Sequence, residues 1–159
     1  MTTCTIEALA RVLHTTPTWL LQGKGEEEPA PLERGVVLLA GYVDAGARTT
    51  FFSASQGPFD EVQAPENATR DTVAVEVRGE SLGAFFDRWL VYYDDVRRPV
   101  TNDLLNKLCV VGLVDGPVLI KKLHRSRAKG LSHLISQSEG PIFDVEVDWA
   151  ARVTEMRPR

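Results

Sequence analysis

The spacing of apolar positions changes near residue 36. In "TIEALARVLH" (5–14), Ile6, Leu9, Val12 and Leu13 recur at helical spacing. Thr16 then stands as an N-cap, with Pro17 at the first helical position and Gly23 as the stop. Residues 5–22 are therefore predicted as two short helices, the second carrying Trp19, Leu20 and Leu21. "GKGEEEPAPLERG" follows, rich in Gly, Glu and Pro with little to bury, and residues 24–35 read as a linker. From Val36 the period becomes that of strands. "VVLLAGYV" (36–43) is a buried or half-buried strand, and "TVAVEVRG" (72–79) alternates with Val73, Val75 and Val77 on one face. "WLVYYDD" (89–95) is another strand. "KLCVVGLVDGPVLIKKL" (107–123) reads as two strands about Asp115-Gly116, a dipeptide suited to hairpin turns. "GLSHLISQ" (130–137) and "VDWAARVTEM" (147–156) are two further strands. The fold class expected is mainly β, one domain over 36–159 preceded by two short helices.

Composition narrows the function classes. The chain has 159 residues, 43% hydrophobic and 25% charged, ordinary for a soluble globular protein. No apolar run approaches the roughly 18–20 residues that cross a bilayer. No basic segment followed by an apolar one opens the chain, so a cytoplasmic protein without a membrane partner is expected. A net charge of −4 gives no electrostatic footprint for nucleic acid over the whole chain. The basic run "KKLHRSRAK" (Lys121–Lys129) reads as a solvated strand end and turn. Cys4 and Cys109 are far apart and lack metal spacing, and Cys109, inside "LCVVGLV", reads as a small buried hydrophobe. His14, His124 and His133 form no metal motif, and neither a cofactor nor a metal is expected.

P-loop and GxGxxG patterns are absent from the sequence. What remains is "VEVRGESL" (75–82), where a strand runs into Gly79 and Ser81 follows. A serine hydroxyl is a poor nucleophile until a base removes its proton, and a desolvated lysine can be that base. Lys121 ends "PVLIK", on the face of Leu119 and opposite Ile120 and Lys122. If the sheet is covered on one side, one of Lys121 and Lys122 points inward or into a cleft. Gly-x-Ser and strand-end lysines are both common, and a turn serine with a surface lysine is the bland alternative.

Three segments in order carry a resemblance. "GYVDAG" (41–46), "VEVRGESL" (75–82) and "DGPVLIKKL" (115–123) resemble the cleavage segment, the nucleophile signature and the base strand of the C-terminal domains of LexA and phage CI-type repressors, the S24 peptidase-like family. "DVEVDWAARVTEMRPR" resembles the last strand of that domain, and "IEALARVLHTTPTWLLQGKGE" the closing helices of an XRE-type helix-turn-helix domain, of which residues 1–23 would be the C-terminal remnant. The signature here is Gly-Glu-Ser-Leu rather than Gly-Asp-Ser-Met, and "FDRWLVYYDD" keeps Asp87 but continues with Arg88 and Trp89.

The resemblance implies a LexA/signal-peptidase-like β domain in a transcriptional regulator. It implies that the domain forms a homodimer and cuts its own chain between Ala45 and Gly46, with Ser81 as nucleophile and Lys121 as base. The backbone N–H groups of Glu80 and Ser81 would face the oxyanion. A recombinase-type activator is the expected partner for such cleavage. Operator DNA is expected only of a protein with a complete helix-turn-helix, since the helix that reads base edges is not recognisable among these residues. Two alternatives stand beside this: a non-cleaving dimerisation or partner-binding module, and a UmuD-like polymerase accessory protein.

Overall fold

A computed structural model describes residues 35–53 and 60–159. The two helices and the linker expected over residues 5–34 lie outside the described residues. Among the described residues, ten strands make up nearly all the regular structure: β1 (Val36–Asp44), β2 (Arg48–Phe51), β3 (Glu61–Gln63), β4 (Thr72–Val77), β5 (Trp89–Asp94), β6 (Leu108–Leu113), β7 (Val118–Arg125), β8 (Ser132–Ile135), β9 (Ile142–Val145) and β10 (Val147–Pro158). Seven of them run in the order β2-β1-β4-β5-β10-β6-β7, and β7 pairs back onto β2 to close a barrel. Closure removes the open edges that a seven-stranded sheet would otherwise present. β3 pairs with β1, and β8 and β9 continue from β7 as a flap.

Burial explains the apolar runs. β5 has Tyr92 and Tyr93 both fully buried, although neighbouring side chains on a strand face opposite ways. Tyr93 packs among Val43, Val75, Val91, Val110 and Ile120, while Tyr92 packs with Val37, Leu39, Ala74 and Leu90. Both faces of the strand are therefore covered, and "LVYY" is apolar throughout. The same holds for β4. Val75 and Val77 line one cluster, yet Ala74 and Glu76 on the other face are buried too, Glu76 in an ion pair with Arg159. The alternation of β4 thus marks two different buried faces rather than one buried and one wet.

Seven of the ten strands coincide with sequence expectations, to within a few residues at their ends. The loop about Asp115 spans residues 114–117, with Asp115 in the left-handed region (φ +48°). β2, β3 and β9 are short, and their patterns "RTTF", "EVQ" and "IFDV" are too brief to show a period. Among the described residues, no helix is long and apolar enough to cross a membrane.

The connection that matters for chemistry is the parallel pair β1 and β4, the parallel exception among the strand pairings. Val43 pairs with Val77, so both strands leave the barrel at the same rim. Beyond β1 comes Ala45-Gly46, and beyond β4 comes Ser81.

Candidate active site

β1 turns into β2 through a three-residue loop, Ala45–Ala47, closed by the pair Asp44 and Arg48. Gly46 (φ +80°) and Ala47 (φ +53°) are both left-handed, and Gly46 supplies this conformation without the strain a Cβ brings. Ala47 is fully buried in the main core, which anchors the loop just beyond the Ala45-Gly46 peptide. Arg48 and Thr49 then pair with Leu119 and Val118 of β7, which sets the loop beside that strand.

The serine turn is held at both ends. The Arg78 N–H donates to the Val43 carbonyl at 2.8 Å, and the Arg88 N–H donates to the Val77 carbonyl at 2.9 Å. Within this loop the Gly79 N–H donates to Asp87 Oδ1 at 2.8 Å, so Asp87 staples the entry to the turn. Gly79 has φ +79° with open space around it, so the residue is required for its backbone and not for room. The turn exposes Glu80 and buries Ser81 to 8%. Ser81 Oγ is buried and has no hydrogen-bond partner among the described residues. Such an orphaned hydroxyl costs on the order of 1–3 kcal/mol, which makes its retention informative. Neither the Glu80 nor the Ser81 N–H donates a hydrogen bond among the described residues.

Ser81 lines a mainly apolar cavity of about 310 Å³ with Leu82, Phe86, Leu108, Ile120 and Met156, and the lysine that lines it is Lys122 rather than Lys121. Phe86 meets Trp89 edge to face at 5.0 Å, which fixes one wall. Ser136, at the end of β8, lines the same cavity.

Lys121 occupies the fork of β7. Residues before it pair with β2, and residues from Lys122 onward pair with β8. Its side chain is buried, with 2% of the residue exposed, while Lys122 is exposed. The Lys121 Nζ donates to Ser136 Oγ at 2.5 Å and to Glu139 Oε2 at 3.0 Å. Ser138 Oγ in turn donates to the Ser81 carbonyl at 3.1 Å. The segment 136–139 thus ties the lysine to the serine turn: Ser136 touches the lysine and the cavity, and Ser138 touches Ser81. Glu139 also reaches the hairpin loop, since a Cβ on Gly46 would lie 3.7 Å from its Oε1.

The structure therefore gathers Ser81, Lys121 and the Ala45-Gly46 loop at one rim, with Lys121 bonded to Ser136 and Glu139 rather than to Ser81. Ser136, Ser138 and Glu139 were not legible as site residues. "SQSEG" has the composition of a surface turn, and only the fold of β8 back along β7 makes it part of the site. Cys109 stands opposite Lys121 in the β6–β7 register. Cys109 is fully buried, and burial raises its thiol to about 11, with Arg152 lowering it and Asp103 raising it by smaller amounts. Among the described residues, no group of three or more His, Cys, Asp or Glu is placed to hold a metal ion. No family model matches the chain, and no curated protein matches it.

Proposed function

We propose that residues 36–159 are a LexA-like, S24-type autopeptidase domain of a transcriptional regulator, cutting the Ala45-Gly46 bond with Ser81 and Lys121. The observation that carries the proposal is the pairing of two costly features at one rim: a buried serine hydroxyl without a partner and a buried lysine ammonium. Surface turns and strand ends have no need of either.

In this reading the amine of Lys121 takes the proton of Ser81, and Ser81 Oγ bonds to the Ala45 carbonyl carbon. The resulting oxyanion is met by the Glu80 and Ser81 N–H groups. Collapse breaks the C–N bond, and the Lys121 ammonium returns the proton to the Gly46 nitrogen. Water then hydrolyses the Ala45–Ser81 ester, leaving a carboxylate on Ala45 and the free hydroxyl on Ser81. Because the scissile loop belongs to the same chain, attack is intramolecular and gains effective molarity. The regulator would dimerise through the same β domain.

The engagement of Lys121 by Glu139 favours a second reading, in which the domain does not cut and serves dimerisation or partner binding. Intact mass after incubation from about pH 7 to about pH 10 separates the two, because an amine acts as base only in its neutral form. Fragments 1–45 and 46–159, absent in Ser81→Ala and Lys121→Ala, are the expected result. A wild-type chain uncut across this range, with Glu139→Gln uncut as well and both indistinguishable from Ser81→Ala, would overturn the peptidase reading.

A further inference from the structure

We infer that Glu139 is an autoinhibitory latch on this site: its carboxylate holds Lys121 as a hydrogen-bond donor beside the scissile loop, so the dyad stays idle until Glu139 moves. The inference rests on the self-cleavage reading and concerns how that site is regulated.

The geometry is specific. Glu139 Oε2 accepts from Lys121 Nζ at 3.0 Å, and both carboxylate oxygens lie within 3.7–3.9 Å of where a Gly46 Cβ would stand. The carboxylate therefore neighbours both the base and the scissile peptide. A base must offer its lone pair to the Ser81 proton, and a nitrogen donating to a carboxylate and to Ser136 offers none in that state. Ser81 Oγ has no partner in the same arrangement, as expected of a dyad whose base is engaged elsewhere.

The latch is also built to open. Gln137, Ser138, Glu139 and Gly140 are all exposed, and 45% of the Glu139 side chain stays in water. Among the described residues, the hydrogen bonds that tie residues 137–140 to the rest are those of Ser138 to Ser81 and Glu139 to Lys121. A segment held by so few contacts opens locally at small cost. Ser136, by contrast, is half-buried at the strand end and stays with Lys121 when Glu139 leaves.

The test uses the full chain and Glu139→Gln, which keeps shape and removes charge. Two readouts are taken: the cleavage rate from intact mass, and the slowly exchanging ¹H–¹⁵N signal of the Lys121 ammonium, assigned by its loss in Lys121→Ala. Glu139→Gln is expected to be cut about tenfold faster than wild type, the weight of roughly one charge-assisted hydrogen bond. The protected ammonium signal of the wild type is expected to be lost with it. A signal unchanged in Glu139→Gln overturns the latch, and so does a variant that is cut but no faster than wild type. A lost signal with every chain uncut at every pH leaves the Glu139 clamp standing and overturns the peptidase reading instead.

Discussion

Replacing Lys121 by methionine separates what that side chain does from what it contributes to stability. Folding strips its ammonium of water, since the residue is 2% exposed, at a cost of several kcal/mol for a buried ion. Hydrogen bonds to Ser136 and Glu139 return roughly 1.5–3 kcal/mol each, as bonds to charged groups do. The Glu139 contribution falls at the low end, because 45% of that side chain is in water and is screened. The net contribution of the ammonium lies near zero. Methionine retains the length of the stem and needs no partner, and the freed Glu139 turns to solvent rather than being stranded. Lys121→Met is therefore expected to equal wild type in stability or exceed it by up to about 2 kcal/mol, within the range seen when buried ion pairs become hydrophobes. Lys121→Ala leaves a void in the barrel wall and is expected to lose about 2–4 kcal/mol. Urea unfolding followed by tryptophan fluorescence reads both, with Trp149 a core reporter at 7% exposure. The order expected is methionine at or above lysine, and lysine above alanine. If Lys121→Met is as unstable as Lys121→Ala, the ion pair is a structural element, and stability rather than chemistry accounts for the lysine.

Two further outcomes follow from the geometry of the site and its neighbours. Gly79→Ala places a side chain at φ +79° with no steric contact, so it is expected to cost about 1–2 kcal/mol from backbone conformation alone; a cleavage rate and a urea midpoint both unchanged would show that the serine turn does not depend on that conformation. Cys109 has a folded pKa of about 11 against an ordinary 9.0, so the unfolded thiol ionises first. The sign follows: its stabilisation is complete below about pH 9 and is lost as pH rises from about 9 to about 11, at roughly 1.4 kcal/mol per pKa unit. Urea midpoints measured across that window should fall less in Cys109→Ala than in wild type, and parallel slopes would remove Cys109 as a source of alkaline lability.

The strands that were legible in the sequence are mostly those long enough to show a period or an apolar run, the four-residue β8 being the short exception. β1, β4, β5, β6, β7 and β10 each span six or more residues, and β1, β5 and β6 hold Val, Leu, Ile or Tyr in most positions. β2, β3 and β9, at three or four residues, hold their place through pairing with longer neighbours rather than through their own pattern. The burial of Lys121 against the exposure of Lys122 was legible as an either-or, because strand alternation forces adjacent lysines onto opposite faces. Which of the two turned inward was not legible, because the covering comes from elements distant in sequence.

The sequence by itself determined the β class, the glycine that bends the serine turn, and the presence of one inward lysine on β7. These are local matters: side-chain periodicity acts over a few residues, and a left-handed turn is set by a single Cα. Only the tertiary structure decided that the Ala45-Gly46 loop and the Ser81 turn leave the barrel at one rim, through the parallel register of Val43 with Val77. It alone placed Ser136, Ser138 and Glu139 against them, 15 and 18 residues from Lys121 in two cases and 57 from Ser81 in the third. Contacts over such separations depend on barrel closure and on the fork of β7 between β2 and β8. Both arise from pairing among strands that carry no mark of their partners in their own residues.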